Sequence, residues 1–273
     1  MFKVETRRSL AGAAFVTLGL IHLNTVRMIR AGYRNAMVGL AMNIVQVLIM
    51  LAVFFLMFSV LGMRKTAIRG DFIVYLLSGI FLYMTNIRSM RAVAKAEGAT
   101  SSMMQHAPMN TVISICSSAL AALYTQTLSI LAILFVYHVA FSRVDIDDPV
   151  GFGAMVLLAW FNGIAVGLLF LSLKPWWPGF FDIAQNMYTR VNMIASGKMF
   201  VANSLGATML MMFDWNPLFH IIDQARGYAF INYNPHFTSI SYPVTVTIVL
   251  ITLGLMGEFF TRNRVSVSWQ AGR

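Results

Sequence analysis

The sequence predicts an all-α integral membrane protein with six membrane-spanning helices. Three observations carry this prediction. Hydrophobic residues make up 58% of the 273-residue chain and charged residues only 11%, against ~25% charged in a soluble domain. The mean hydropathy is +0.71. The apolar residues also gather into long runs separated by basic and polar stretches, and about 20 such residues suffice for a helix to cross a bilayer core.

The runs, in order, cover residues 37–62, 72–87, 112–141, 152–173, 187–213 and 242–260. The second is short and takes Gly70 and Asp71 into its start. No internal repeat is present. The earlier apolar stretch 10–23 is too short for an ordinary span and suits an interfacial helix or a signal-peptide core. Arg7 and Arg8 precede it, as in a signal peptide, but no small-x-small cleavage site follows. Instead Arg27, Arg30 and Arg34 fall at i, i+3 and i+7, one face of a helix. The reading is an amphipathic helix on the membrane surface, with a half-inserted helix or a cleaved signal as alternatives. The chain then divides into an interfacial N-terminal helix over 1–34, a six-span bundle over 35–262 and a tail over 263–273.

The net charge of +10 would suggest nucleic acid in a soluble protein. Here the basic residues flank apolar runs, where they meet anionic headgroups and set topology, so no nucleic-acid partner is expected. Lysine and arginine bias favours both termini in the cytoplasm, although Arg64, Lys65 and Arg69 oppose it. The single Cys116 has no disulfide partner and no metal-ligand set around it. No Gly-x-x-x-x-Gly-Lys-Ser/Thr phosphate loop occurs, so a pump of this sequence would draw its energy from a partner or an ion gradient.

Three constellations stand out. The loop 88–109 carries Arg88, Arg91 and Lys95 on a helix-prone stretch ended by Pro108, and is either a contact for a soluble partner or a solvated connector. Along the fifth run, Gln185, Thr189, Asn192, Ser196 and Asn203 recur at helical spacing, within roughly 60° of one another at ~100° per residue. Such a stripe lines water or packs on another polar helix. Lys198 lies off the stripe, about 12 Å beyond Arg190 at the helical rise per residue. It is costly in lipid unless it meets an anionic cargo. Finally, 214–238 is too polar to span and too apolar for a free loop. Asn216 and Pro217 suit a capped helix start, and His220, Asp223 and Arg226 follow at three-residue spacing on one face. Without a nucleophile or metal set nearby, a structural charge cluster explains them better than catalysis does.

Asn216-Pro217-Leu218, His220, Asp223 and Arg226 resemble the element before the last membrane helix of the permease subunits of type-2 ABC exporters, in the branch that moves capsular polysaccharide or O-antigen glycans. Arg190 and Ser196-Gly197 resemble, with longer spacing, a stretch of that family's fifth span. Asp223 stands where glutamate is common. The resemblance implies a homodimer in the bacterial inner membrane, joined to a separate ATPase subunit that binds ATP and Mg. This chain itself would hold no cofactor and would not be an enzyme. Arg27, Arg30, Arg34, Arg88, Arg91 and Lys95 would couple to the ATPase. Gln185, Thr189, Asn192, Ser196, Lys198 and Asn203 would line the channel. Asn216, Pro217, His220, Asp223 and Arg226 would form a re-entrant outer gate. The cargo would be a lipid-linked polysaccharide, passed on to periplasmic and outer-membrane export components. The competing readings are a type-2 permease for a drug, lipid or teichoic-acid-like polymer, an ion-coupled carrier, and an intramembrane enzyme.

Overall fold

The computed structural model describes residues 10–31, 36–60, 68, 70–96 and 111–264. It is all-α, with no strand among the described residues. The elements are α1 (Leu10–Ala31), α2 (Ala36–Val60), α3 (Phe72–Ala94), α4 (Thr111–Ala140), α5 (Pro149–Leu173), α6 (Pro178–Ala195), α7 (Ala207–Phe213), α8 (Pro217–Ala229) and α9 (Ser241–Arg264), with a 3-10 turn at Ala202–Ser204. Among the described residues five helices, α2, α3, α4, α5 and α9, are long and apolar enough to cross a membrane. This is the make-up of a multi-pass membrane protein. Their outward residues, including Leu56 on α2, Phe135 on α4 and Leu255 on α9, are exposed. An apolar surface of that extent is stable against lipid but not against water.

Helix starts follow local chemistry. Asp71 caps α3 by accepting from the Ile73 N–H at 2.9 Å. Asp148 caps α5 by accepting from Val150 at 3.0 Å and Gly151 at 2.9 Å, and Pro149 supplies the first turn. Both use a side-chain oxygen to satisfy N–H groups that have no carbonyl partner within the helix.

Helix α3 is the centre of the bundle: 78% of its spanning window is buried, against 17% for α2 and 22% for α9. One glycine pair draws α5 close to it, and a second draws α9 close to α5. On α5, Gly163 lies against Asn86 and Ser89, and Gly167 against Met90 and Val93, so α3 and α5 run parallel. On α9, Gly254 lies against Leu168 and Gly257 against Ser172. With little hydrophobic drive between helices in lipid, close backbone contact and hydrogen bonds hold such a trio. An amide chain adds to it: Asn86 Nδ2 donates to Asn162 Oδ1 at 2.9 Å, and Asn162 Nδ2 donates to Thr247 Oγ1 at 3.0 Å. Helices α2 and α4 run the other way. Phe58 meets Phe72 edge-on at 5.6 Å, and the Tyr137 hydroxyl donates to Asp71 Oδ2 at 2.6 Å. Asn43 Nδ2 ties α2 to α4 through Ser129 Oγ at 2.6 Å.

Two expectations need correction. Helix α3 continues through Arg88 and Arg91 to Ala94, so the helix-prone start of the loop is the end of this span. The continuous fifth span over 187–213 is absent. Helix α6 stops at Ala195 and the chain turns at Gly197, whose φ of +72° is left-handed. That conformation suits glycine and breaks a helix. The expected six spans are therefore five helices of spanning length and composition plus a broken segment. Arg34, Arg64, Lys65, Arg69 and the loop beyond residue 96 lie outside the described residues.

A Cβ at Gly167 would sit 2.7 Å from Met90 O, whereas one at Gly179 meets nothing within 4 Å. Gly167→Leu should cost about 1–3 kcal/mol through overpacking and lower the thermal midpoint of the detergent-solubilised protein. Gly179→Ala should leave it unchanged; equal loss in both would remove the close-contact argument.

Candidate functional site

The most chemically distinctive place in the molecule is a buried polar node where α8 meets the break after α6. Asn216 starts α8: its Oδ1 accepts from the Leu218 N–H at 3.1 Å, and its Nδ2 donates to Asn192 Oδ1 at 3.0 Å and Ala195 O at 2.9 Å. One side chain therefore caps α8 and anchors it to the end of α6. Pro217 occupies the first turn, where the missing N–H costs nothing.

Three charged or titratable side chains then project from buried positions on α8. Arg226 is fully buried. Its Nη1 donates to Gly197 O at 2.8 Å and Phe200 O at 2.5 Å, its Nη2 donates to Lys198 O at 2.6 Å, and its guanidinium lies 4.3 Å from the Tyr75 ring centroid. Asp223 accepts from the Ala202 N–H at 3.0 Å, the Tyr233 hydroxyl at 2.5 Å and the Thr238 hydroxyl at 2.8 Å. Burial, and next the Asp223 charge, push the Tyr233 hydroxyl well above the usual phenol range, so it remains a donor. His220 Nδ1 accepts from the Ser239 N–H at 3.1 Å, while Nε2 lies 2.8 Å from Asp214 O and 3.1 Å from Asp214 Oδ1. The set is consistent with a neutral ring carrying its proton on Nε2.

His220, Asp223 and Arg226 thus share a helix but not a partner, and no salt bridge joins Asp223 to Arg226 among the described residues. Arg226 takes the carbonyls of the irregular segment 197–200, and Asp223 takes the amide that follows it. Gly79 on α3 makes room for this: a Cβ there would come within 2.8 Å of Lys198 O and 2.9 Å of Arg226 Nη2. The sequence showed the spacing of the three residues but not their targets; the backbone groups held by Asp223 and Arg226 lie 21 to 29 residues away in the chain. Gly79 and Tyr75 were missed altogether. The Gly163-x-x-x-Gly167 pair was missed as well, although its small-residue spacing was a readable signal.

The expected channel stripe is only partly assembled. Gln185, Thr189 and Asn192 lie on α6, and Ser196 caps its end. Thr189 O accepts from the Tyr83 hydroxyl at 3.1 Å. Asn203 is separate: beyond the Gly197 turn and exposed, it bonds Asn234 O at 2.7 Å and the His236 N–H at 3.1 Å. Lys198 is buried with its Nζ 3.6 Å from the Tyr83 ring centroid, 4.9 Å from that of Phe54 and 3.9 Å from Met50 Sδ. Among the described residues no carboxylate lies within ion-pairing distance of it. Two aromatic faces and the Met50 sulfur are the neighbours of this amine among the described residues.

The basic residues gather at the opposite end of α3 from Asp71. Arg27 and Arg30 are exposed on α1, Arg91 and Lys95 are exposed at the end of α3, and Arg88 donates to Gln46 Oε1 at 2.6 Å. Helix α1 packs on α4, where the Ser117 hydroxyl donates to Ile21 O at 3.2 Å. Among the described residues no group of three histidine, cysteine or acidic side chains converges as metal ligands would.

The fold and this site together define an all-α, multi-pass membrane protein with charged side chains locked inside it. No protein-family model matches the chain, and no curated protein matches it at a significant level.

Arg226→Lys should destabilise the protein by about 2 kcal/mol or more, because an ammonium cannot satisfy three carbonyls in the fixed directions of a guanidinium. Asn203→Ala, at the exposed end, should cost far less. Thermal unfolding in detergent and limited proteolysis of the 197–206 segment check both; equal effects would deny Arg226 its stapling role.

Proposed function

We propose that the chain is the permease subunit of an ATP-driven ABC exporter that moves a lipid-linked surface polysaccharide, of capsule or O-antigen type, across the bacterial cytoplasmic membrane. One observation carries this reading: the order Asn216-Pro217-Leu218, His220, Asp223, Arg226 directly before the last spanning helix. Its support is that the element is a discrete buried helix, α8, whose polar side chains each hold a different piece of irregular backbone. In lipid, irregular backbone persists only where the protein satisfies its polar groups. In this reading α8 and the segment before it form the outer gate, and a second copy of the chain completes the channel.

The basic end of the bundle is the place for the ATPase. Arg27 and Arg30 on α1, with Arg88, Arg91 and Lys95 on α3, offer cations on two elements to one soluble partner. ATP and Mg belong to that partner. The chemistry of this chain is then positional: it opens and closes a path and makes no bond.

A permease for another cargo is the second reading, favoured by the enclosure of Lys198. Its amine faces aromatic rings rather than a polar wall, so an anionic glycan gains less from it than a continuous stripe would provide.

Two experiments test this. Tagged protein drawn from its native membrane in mild detergent should bring down a near-stoichiometric soluble subunit with a Walker phosphate loop. A homo-oligomer without an ATPase, in several detergents, would shift the assignment to an ion-driven carrier. Lys198→Met should leave assembly intact and reduce export of an anionic glycan; an unchanged export rate would assign Lys198 to packing alone.

A further inference from the structure

Helix α6 has three distinct faces. Gln185 and Asn192 are buried against the bundle, and the Tyr188 ring meets Phe170 edge-on at 6.2 Å. Ile183, Met187 and Ile194 form an exposed apolar strip. Asn186 and Arg190 lie beside that strip, one turn apart and exposed. Among the described residues neither makes a side-chain hydrogen bond or an ion pair. Asp182, one turn before Asn186, is taken by Lys174 at 2.8 Å.

The depth of Arg190 decides what this face can meet. Its neighbour Thr189 accepts from the Tyr83 hydroxyl at 3.1 Å, and Tyr83 stands midway along the spanning helix α3. Pro178, where α6 begins, is about 18 Å away along the axis at the helical rise per residue, beyond the reach of a side chain. A guanidinium exposed at that depth is costly against lipid, and such groups face a bundle interior or water. The bundle face of α6 is already filled by Gln185, Tyr188 and Asn192, which leaves water.

We propose that the strip of Asn186 and Arg190 faces a water-filled path within the membrane, and that Arg190 receives the phosphate or carboxylate groups of an anionic cargo there. The inference rests on the transport reading and names the class of its cargo. It also moves the path to the side of α6 roughly opposite Gln185 and Asn192. Lys198 is enclosed by rings, whereas the Arg190 guanidinium keeps its N–H fork free, and that planar fork matches such oxygens in pairs. Asn186 adds a neutral donor and acceptor one turn away.

The test uses the full-length protein in native membrane vesicles, with Cys116→Ser as background and one new cysteine at a time. The probes are two hydrophilic methanethiosulfonates, one anionic and one cationic, each rate being divided by its rate with a free thiol in solution. Asn186→Cys should react with both. Ile183→Cys, on the apolar strip, should react about tenfold more slowly or less, since the reactive thiolate is disfavoured in apolar surroundings. At Asn186→Cys the anionic probe should outpace the cationic one. Adding Arg190→Gln should lower that ratio about tenfold, because a cleft lined by one sign of charge concentrates the opposite ion. Arg190→Lys should retain most of it. Both positions are exposed, so their variants leave the packing of α6 intact. Equal rates at Asn186→Cys and Ile183→Cys, labelling of Asn186→Cys by membrane-permeant N-ethylmaleimide alone, or a ratio unmoved by Arg190→Gln would overturn the proposal. So would a disulfide between two copies at Asn186→Cys without labelling, which would assign the strip to a packed subunit contact. The labelling needs no ATPase. A pull-down without one would therefore sink the exporter reading while the labelling pattern stood, and failed labelling with the ATPase bound would sink this inference alone.

Discussion

The guanidinium of Arg226 is the interaction on which the rest of the Asp71 end of the bundle depends. It binds the carbonyls of Gly197, Lys198 and Phe200 at once and stacks near the Tyr75 ring. Those carbonyls belong to a segment that has left the helix, so no intrahelical N–H can serve them. In a water-poor interior each would cost free energy comparable to a lost hydrogen bond. A single planar cation serves all three, and Gly197 O also accepts the Phe200 N–H at 3.3 Å. The charge is itself buried, and strong donor contacts to several oxygens are what make its burial tolerable. The break in α6, the left-handed Gly197 and the approach of α3 at Gly79 form one constraint seen from three sides.

The other end of the bundle is held differently. There α3, α5 and α9 run parallel and touch through glycines and short amides rather than charges. The Asn86–Asn162–Thr247 chain gives the trio register, because Asn162 on α5 accepts from Asn86 on α3 and donates to Thr247 on α9. Helices α2 and α4 contribute apolar area on the outside and keep their polar residues inward, as Asn43 does toward Ser129. The two regimes share α3, which explains why that helix is so much more buried than its neighbours. A change at Gly79 acts on the node, whereas a change opposite Gly167 acts on the trio.

This division bears on the proposed transport role. In that proposed role the parallel trio would be the scaffold and the stapled, non-helical segment the part that changes shape. Basic side chains occur at the end of α3 far from the staple, so a partner docking there would act on α1 and on the end of α3 rather than directly on α8. Lys198 lies between the two regimes. Its carbonyl is fixed by Arg226 and its amine by the faces of Tyr83 and Phe54.

Much of the architecture was legible in the sequence. The limits of four of the five spanning helices follow from apolar run length within a few residues, because lipid enforces a minimum length and helices satisfy their own backbone. The start of α8 at Asn216-Pro217 was equally readable, since capping is a local event. What the sequence by itself determined is therefore the all-helical, apolar membrane class, four of the spanning helices within a few residues and the existence of a capped polar element before the last of them. Only the tertiary structure decided where the charges of that element go. It turned a continuous fifth helix into a broken one, placed Asn203 apart from Asn192, and gave Asp223 and Arg226 separate backbone targets. The physical reason is that spacing along a helix specifies which side chains share a face. Which carbonyl or amide they satisfy depends on a chain reversal some twenty residues away, and no periodicity encodes that.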